Sequence, residues 1–143
     1  MPFALCLITG MACTAHAEAN PAVVFDLGGK FDKSFNEASF TGAEQFRKET
    51  GITYREFELQ SDAQREQALR RFAQQGHNPV VVAGFSYGQA MQTVAAEFPE
   101  TQFVIIDSVV DLPNVRSVVF KEQEGSYLVG ILVRAACRFE SLR

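Results

Sequence analysis

Val80-Val81-Val82-Ala83-Gly84-Phe85-Ser86-Tyr87-Gly88 sets an apolar run against a small, partly polar turn. The run has no polar alternate position, the mark of a strand buried on both faces of a parallel sheet. Gln89 to Phe98 continues as a helix that Pro99 stops. Strand, turn, helix is the unit from which α/β sheets are wound. It is also the setting of a G-x-S-x-G nucleophile elbow, in which Ser86 would attack an acyl group.

Working outward, the same unit recurs. Ala22 to Phe25 is a short apolar strand ending at Asp26, followed by a polar loop with Gly28-Gly29. Ser34-Phe35-Asn36-Glu37 has the S-x-x-E form of a capping box, and Gly51 ends the helix it opens. Thr53 to Leu59 alternates as an outer strand does. Ser61-Asp62-Ala63-Gln64 opens a second helix with Ala68, Leu69 and Phe72 on its buried face and Gly76 after it. Beyond Pro99 come a strand over Gln102 to Ile106 ending at Asp107, a fifth strand over Val115 to Phe120, and a fourth helix over Ser126 to Cys137 that is apolar nearly all round. The pattern βαβαβαββα with right-handed crossovers predicts an α/β fold with a doubly wound, mainly parallel sheet. For the strand order 2-1-3-4-5, ligands sit outside the carboxyl ends of the strands, between strands 1 and 3. The loops at that point are Asp26 to Asn36 and Gly84 to Gly88, with Asp107 on the same edge.

Composition narrows the function. The chain has 143 residues, a net charge of −4 and two basic pairs, Arg47-Lys48 and Arg70-Arg71. A nucleic-acid binder carries a basic face or stripe, so nucleic acid is not expected as a partner. No apolar run reaches the ~20 residues of a membrane span. Residues 1–17 read as an export signal: Phe3 to Ala12 is largely apolar and Ala15-His16-Ala17 has the small-x-small form of a cleavage site. No Lys or Arg precedes Lys30, so the basic start of such a signal is missing. Gly10-Met11-Ala12-Cys13 puts small residues before a thiol, which makes Cys13 a candidate lipidation cysteine. Cys137 is the one thiol left in the mature part, which gives neither a disulfide framework nor a zinc site.

The hydrolase reading of Ser86 lacks its partners. In that fold the order is Ser, then Asp or Glu, then His, and both histidines, His16 and His77, precede Ser86. Gly28-Gly29-Lys30 lacks the glycine spacing of either phosphate loop. The stretch Asp26 to Asn36 reads better as a binding loop. Phe35 at the first turn of a helix suits stacking on a planar ligand. Asn36 can offer donor and acceptor, and Asp26 and Asp107 can accept from hydroxyls or ring N–H groups. On spacing alone, a hydrophobic staple accounts for Phe35 equally well, and turn or capping roles for each Asp.

The string VVFDLGGKFDKSFNEASFTGA resembles the opening of the basic membrane protein (Bmp) family of substrate-binding proteins for ABC transporters, which includes purine-nucleoside-binding lipoproteins. VVVAGFSYGQAM, QFVIIDSVV and FKEQEGSYLVG resemble it too, and the likeness covers residues 21–134. It implies a Rossmann-like lobe of a type I periplasmic-binding protein, with the ligand held between two lobes and no enzymatic step or cofactor. Phe35 would stack on a base, Asn36 and Asp26 would bond its edge, Asp107 would bond ribose hydroxyls, and Ser86 would line the pocket, facing Phe35 and Asp107. It implies further an exported protein, periplasmic or lipid-anchored at the membrane, that serves a permease. The family's chains are longer, and the likeness fades near Ala135. The expectation is therefore a truncated form: the N-terminal lobe over 21–134 and a divergent tail over 135–143. A sensor domain of the same fold is the other reading, because fold does not fix function.

Overall fold

The computed structural model describes residues 19–140, with side chains as far as Cys137. Residues 1–18, with the expected export signal and Cys13, and residues 141–143 lie outside the described residues. Five strands form one sheet: β1 (Ala22–Phe25), β2 (Arg55–Glu58), β3 (Val80–Ala83), β4 (Phe103–Ile106) and β5 (Val115–Val118). Their order is β2-β1-β3-β4-β5 and every pairing is parallel, as the sequence predicts. The helices are α1 (Phe35–Thr50), α2 (Gln64–Gln74), α3 (Gly88–Glu97) and α4 (Glu122–Glu140), with a short 3-10 turn at Phe85–Tyr87.

Alternation along the strands divides the apolar residues between two faces. Ala22, Val24, Val80, Val82, Phe103 and Ile105 join one buried cluster with Leu69 and Phe72 of α2 and Met91 and Val94 of α3. This is the core, and Leu69, Met91 and Val94 are fully buried in it. The other face carries Val23 and Phe25, with Phe25 meeting Phe40 of α1 edge-on at 6.4 Å. Cover there is thinner: Val81, Val104 and Ile106 are half-buried. Asn114, a buried polar residue, donates from Nδ2 to the carbonyls of Ala95, Phe98 and Thr101 at 2.9–3.1 Å. It thereby satisfies the end of α3 and the turn into β4.

Three expectations need correction. The predicted capping box is not formed. Ser34 holds the N-cap position of α1 without a side-chain bond, and Asp32 supplies the cap from outside the helix. Its carboxylate accepts the amides of Ser34 at 2.7 Å, Glu37 at 3.2 Å and Asn36 at 3.3 Å. The last helix starts at Glu122, earlier than Ser126, because Glu122 and Glu124 suit the positive end of a helix and Lys121 pairs with Glu124. Its apolar residues as far as Cys137, among them Tyr127, Leu128 and Leu132, are exposed, uncovered by the described residues. The strands β2 and β5 are also shorter than the alternation suggests, at four residues each.

Candidate functional site

Parallel pairing of the neighbouring strands β1 and β3 brings the loop after β1 and the turn after β3 to one edge. Asp26 follows β1 directly. Its Oδ1 accepts the amide of Leu27 at 2.8 Å and Arg65 Nη2 at 2.6 Å. Its Oδ2 accepts the Ser86 hydroxyl at 2.5 Å. Burial pushes the Asp26 carboxyl up, but the bonds from Ser86, Arg65 and Leu27 outweigh it and hold the group below the usual carboxylate range. Asp26 therefore stands ionised at neutral pH.

Asn36, in the first turn of α1, is buried. Its Oδ1 accepts the Asp26 amide at 3.0 Å, and its Nδ2 donates to the carbonyls of Asp26 at 3.0 Å and Gly29 at 3.1 Å. Donor and acceptor are thus directed at the loop's own backbone, not at the opening between the loops. Glu58 of β2 fixes the other side of this loop by accepting the Lys30 amide at 3.1 Å.

Phe35, next in chain to Asn36, is 42% exposed and lies 6.5 Å, centroid to centroid, from the exposed Phe120 beyond β5. Phe85 in the turn after β3 is 78% exposed. Several aromatic faces thus stand open along the carboxyl edge. The turn itself requires Gly84: its φ is +113°, and a Cβ there would meet Ser86 Oγ at 3.4 Å and Asp26 Oδ2 at 3.5 Å.

Asp107 ends β4 in the left-handed region at φ 68°, with its amide donating to the Val118 carbonyl at 2.8 Å. Its carboxylate lies beside Glu122 at the start of α4, and that hydrogen bond and like charge push the Glu122 carboxyl up. Backbone bonding ties this strand end to the turn after β3, through the Gly84 amide to the Ile106 carbonyl at 2.9 Å.

Hydrogen bonds thus join Asp26, Asn36 and Ser86, and chain adjacency adds Phe35. Asp107 sits on the same edge with Glu122 as its immediate partner. The partner of Ser86 is Asp26, and neither Phe35 nor Asp107 touches its hydroxyl among the hydrogen bonds and ring contacts described. Sequence reasoning missed Arg65 and Phe120. The sequence reads Phe120 as the last residue of the fifth strand, and only the end of β5 at Val118 leaves it beyond the strand. Arg65 gave no signal, since a lone arginine on a helix reads as a solvated side chain. His77 lies at the opposite edge, its ring packed on Phe72 at 5.2 Å and its Nδ1 bonded to the Asn20 carbonyl at 3.1 Å.

Grooves open at both edges of the sheet among the described residues. The larger, about 880 Å³, runs between β2 and α2 towards that amino-terminal edge and is lined by Arg55, Phe57, Arg71 and His77 among others. The smaller, about 230 Å³, lies between α2 and the Ser86 turn and includes Asp62, Arg65 and Ser86. Size favours the first, but chemistry favours the second edge, where an ionised acceptor, a hydroxyl and open aromatic rings meet. Among the described residues no cluster of His, Cys, Asp and Glu has the make-up of a metal site, and no helix is long and apolar enough to cross a membrane.

Comparison with known proteins gives a consistent picture. The sequence model of the Bmp family, described as ABC transporter substrate-binding protein PnrA-like, matches residues 19–139. An uncharacterized lipoprotein of Pyrococcus abyssi is 32% identical over 122 residues, covering 83% of this chain and 30% of its own. The ABC transporter nucleoside-binding protein BmpA of Lactococcus lactis subsp. cremoris is 31% identical over 137 residues, covering 91% of this chain and 38% of its own. Among solved structures, an ABC transporter solute-binding protein of Aeropyrum pernix superposes with a TM-score of 0.74 at 34% identity, over 79% of this chain and 31% of that one. The chain spans about a third of the length of the relatives it matches.

Proposed function

This chain belongs to the PnrA-like family of ABC transporter substrate-binding proteins, and from that membership we propose that it supplies one lobe of a nucleoside-binding protein, with a purine nucleoside held against the carboxyl edge of its sheet. One observation carries the reading: the Asp26–Ser86 acceptor pair and the exposed Phe35 ring belong to loops that the β1–β3 switch point brings to one edge. In this reading the base stacks on Phe35 with Phe120 beside it. Asp26 and Ser86 accept hydrogen bonds from ligand donors, and Asp107 accepts from ribose hydroxyls. Asn36 acts by holding the loop in shape. The nucleoside-binding description of the Lactococcus relative supports the ligand class.

No bond is made or broken in this account. Ser86 donates a hydrogen bond to a carboxylate held in its ionised form, which is a weak base, and His77 sits at the far edge. Both favour binding over acyl transfer. Residues 1–17 would export the protein, a permease would receive the ligand, and a membrane tether on Cys13 would require processing just before that cysteine in place of cleavage after Ala17. The lipoprotein relatives support that placement.

Calorimetric titration of the protein with inosine, guanosine and adenosine tests the proposal. At least one should give a saturable heat. Phe35→Ala should then weaken binding by about 1–3 kcal/mol, the usual worth of one base–aromatic stack. No heat with any of the three contradicts the ligand assignment.

A further inference from the structure

We propose that Arg65 is a positioning residue for this site: it clamps the Asp26 carboxylate in one orientation, so that Asp26 and Ser86 present only acceptors and select ligands bringing N–H or O–H donors to that corner. The inference rests on the ligand-binding reading above. A carboxylate offers about four lone-pair positions. Three are taken, by the Leu27 amide, Arg65 Nη2 and the Ser86 hydroxyl. The free one is on Oδ2, beside Ser86. A serine hydroxyl can donate one hydrogen bond, and Ser86 donates it to Asp26. What Ser86 has left to offer is lone pairs. A ligand carbonyl or bare ring nitrogen would meet acceptors here and be rejected.

Arg65 is itself held from several sides. Its side chain is only 13% exposed. Nη1 pairs with Asp62 and Nη2 with Asp26, while the guanidinium lies 5.4 Å from the ring centre of the fully buried Tyr87. Arg65 of α2 and Tyr87 of the β3 turn are the ionisable groups that act on Asp26, and Asp62, just before α2, acts on Arg65. A lysine would keep the charge but lose the planar fork that sets the direction of both bonds. Burying this arrangement on a helix 39 residues away in sequence makes the orientation of Asp26 a property of tertiary structure, not of its own loop.

The test has a ligand-free arm and a ligand arm. Carbon-13 NMR titration of the Asp26 carboxyl is compared in the native protein, Arg65→Lys and Arg65→Met, with Lys the variant that keeps its fold if Met does not. The midpoint should rise in Arg65→Met, and less so in Arg65→Lys. An unchanged midpoint in both overturns the clamp. In the ligand arm, inosine affinity should fall roughly tenfold or more in Arg65→Lys, as for loss of one charge-assisted bond, because charge without the fork does not restore geometry. It should fall likewise in Asp26→Asn, which replaces an acceptor with a donor. Native-like affinity in Asp26→Asn overturns the acceptor-only rule, and native-like affinity in Arg65→Lys overturns the requirement for the fork. A shifted midpoint with no inosine binding by the native protein upholds the clamp and removes the nucleoside reading instead.

Discussion

At the scale of single residues, the fold's decisive contacts come from side chains acting outside their own segment. Asp32 caps α1 from the loop before it. Replacing it with Ala should cost about 0.5–2 kcal/mol, the usual worth of a cap, whereas Ser34→Ala should be nearly silent because Ser34 makes no cap bond. Chemical denaturation of the two variants separates these outcomes. The motif misled because S-x-x-E is defined by spacing, and spacing does not reveal a stronger carboxylate two residues upstream. Asp26 gives a pH dependence with a definite sign. Its folded pKa lies below the value of ~3.9 for an unperturbed aspartate. Its stabilisation is therefore complete above about pH 4 and is lost as pH falls through the lower, folded pKa. A thermal-unfolding series should show Tm holding near pH 6 and dropping below pH ~4, with a smaller drop in Asp26→Asn. An equal drop in that variant would take Asp26 out of the account.

At the scale of elements, the punctuation of the chain was readable and the cover of each element was not. Gly51 and Gly76 mark helix ends because both take positive φ, at 75° and 76°. The apolar runs at Val80 and Phe103 fall where the strands are, since a run of that length between turn signals has few other uses. Hydrophobicity alone did not tell α2 from α4. Leu69 of α2 is fully buried between sheet and α3, while Leu132 of α4 is 69% exposed. Leu69→Ala should destabilise by about 2–5 kcal/mol. Leu132→Ala should stay within about 0.5 kcal/mol. Urea midpoints test the contrast, and a large loss at Leu132 would mean that α4 is packed in solution.

At the scale of the whole molecule, strand order gathers the candidate site. The parallel arrangement β2-β1-β3-β4-β5 places the ends of β1, β3 and β4 on one edge. That is why Asp26, Ser86 and Asp107, far apart in sequence, were legible together as candidates. What the sequence could not supply was the internal allocation of hydrogen bonds. Asn36 looks as available as Asp26 in the string, and only the folded loop reveals that its amide is committed to backbone. Arg65 enters for the same reason, through a contact across the crossover that no local pattern records. Ligand recognition at this edge, and not in the roomier groove beside His77, is decided by titrating nitrogen-15-labelled protein with inosine and following the amide resonances. Shifts should cluster at Asp26, Phe35, Ser86, Asp107 and Phe120; shifts confined to Arg55, Arg71 and His77, or none at all, would overturn the proposal.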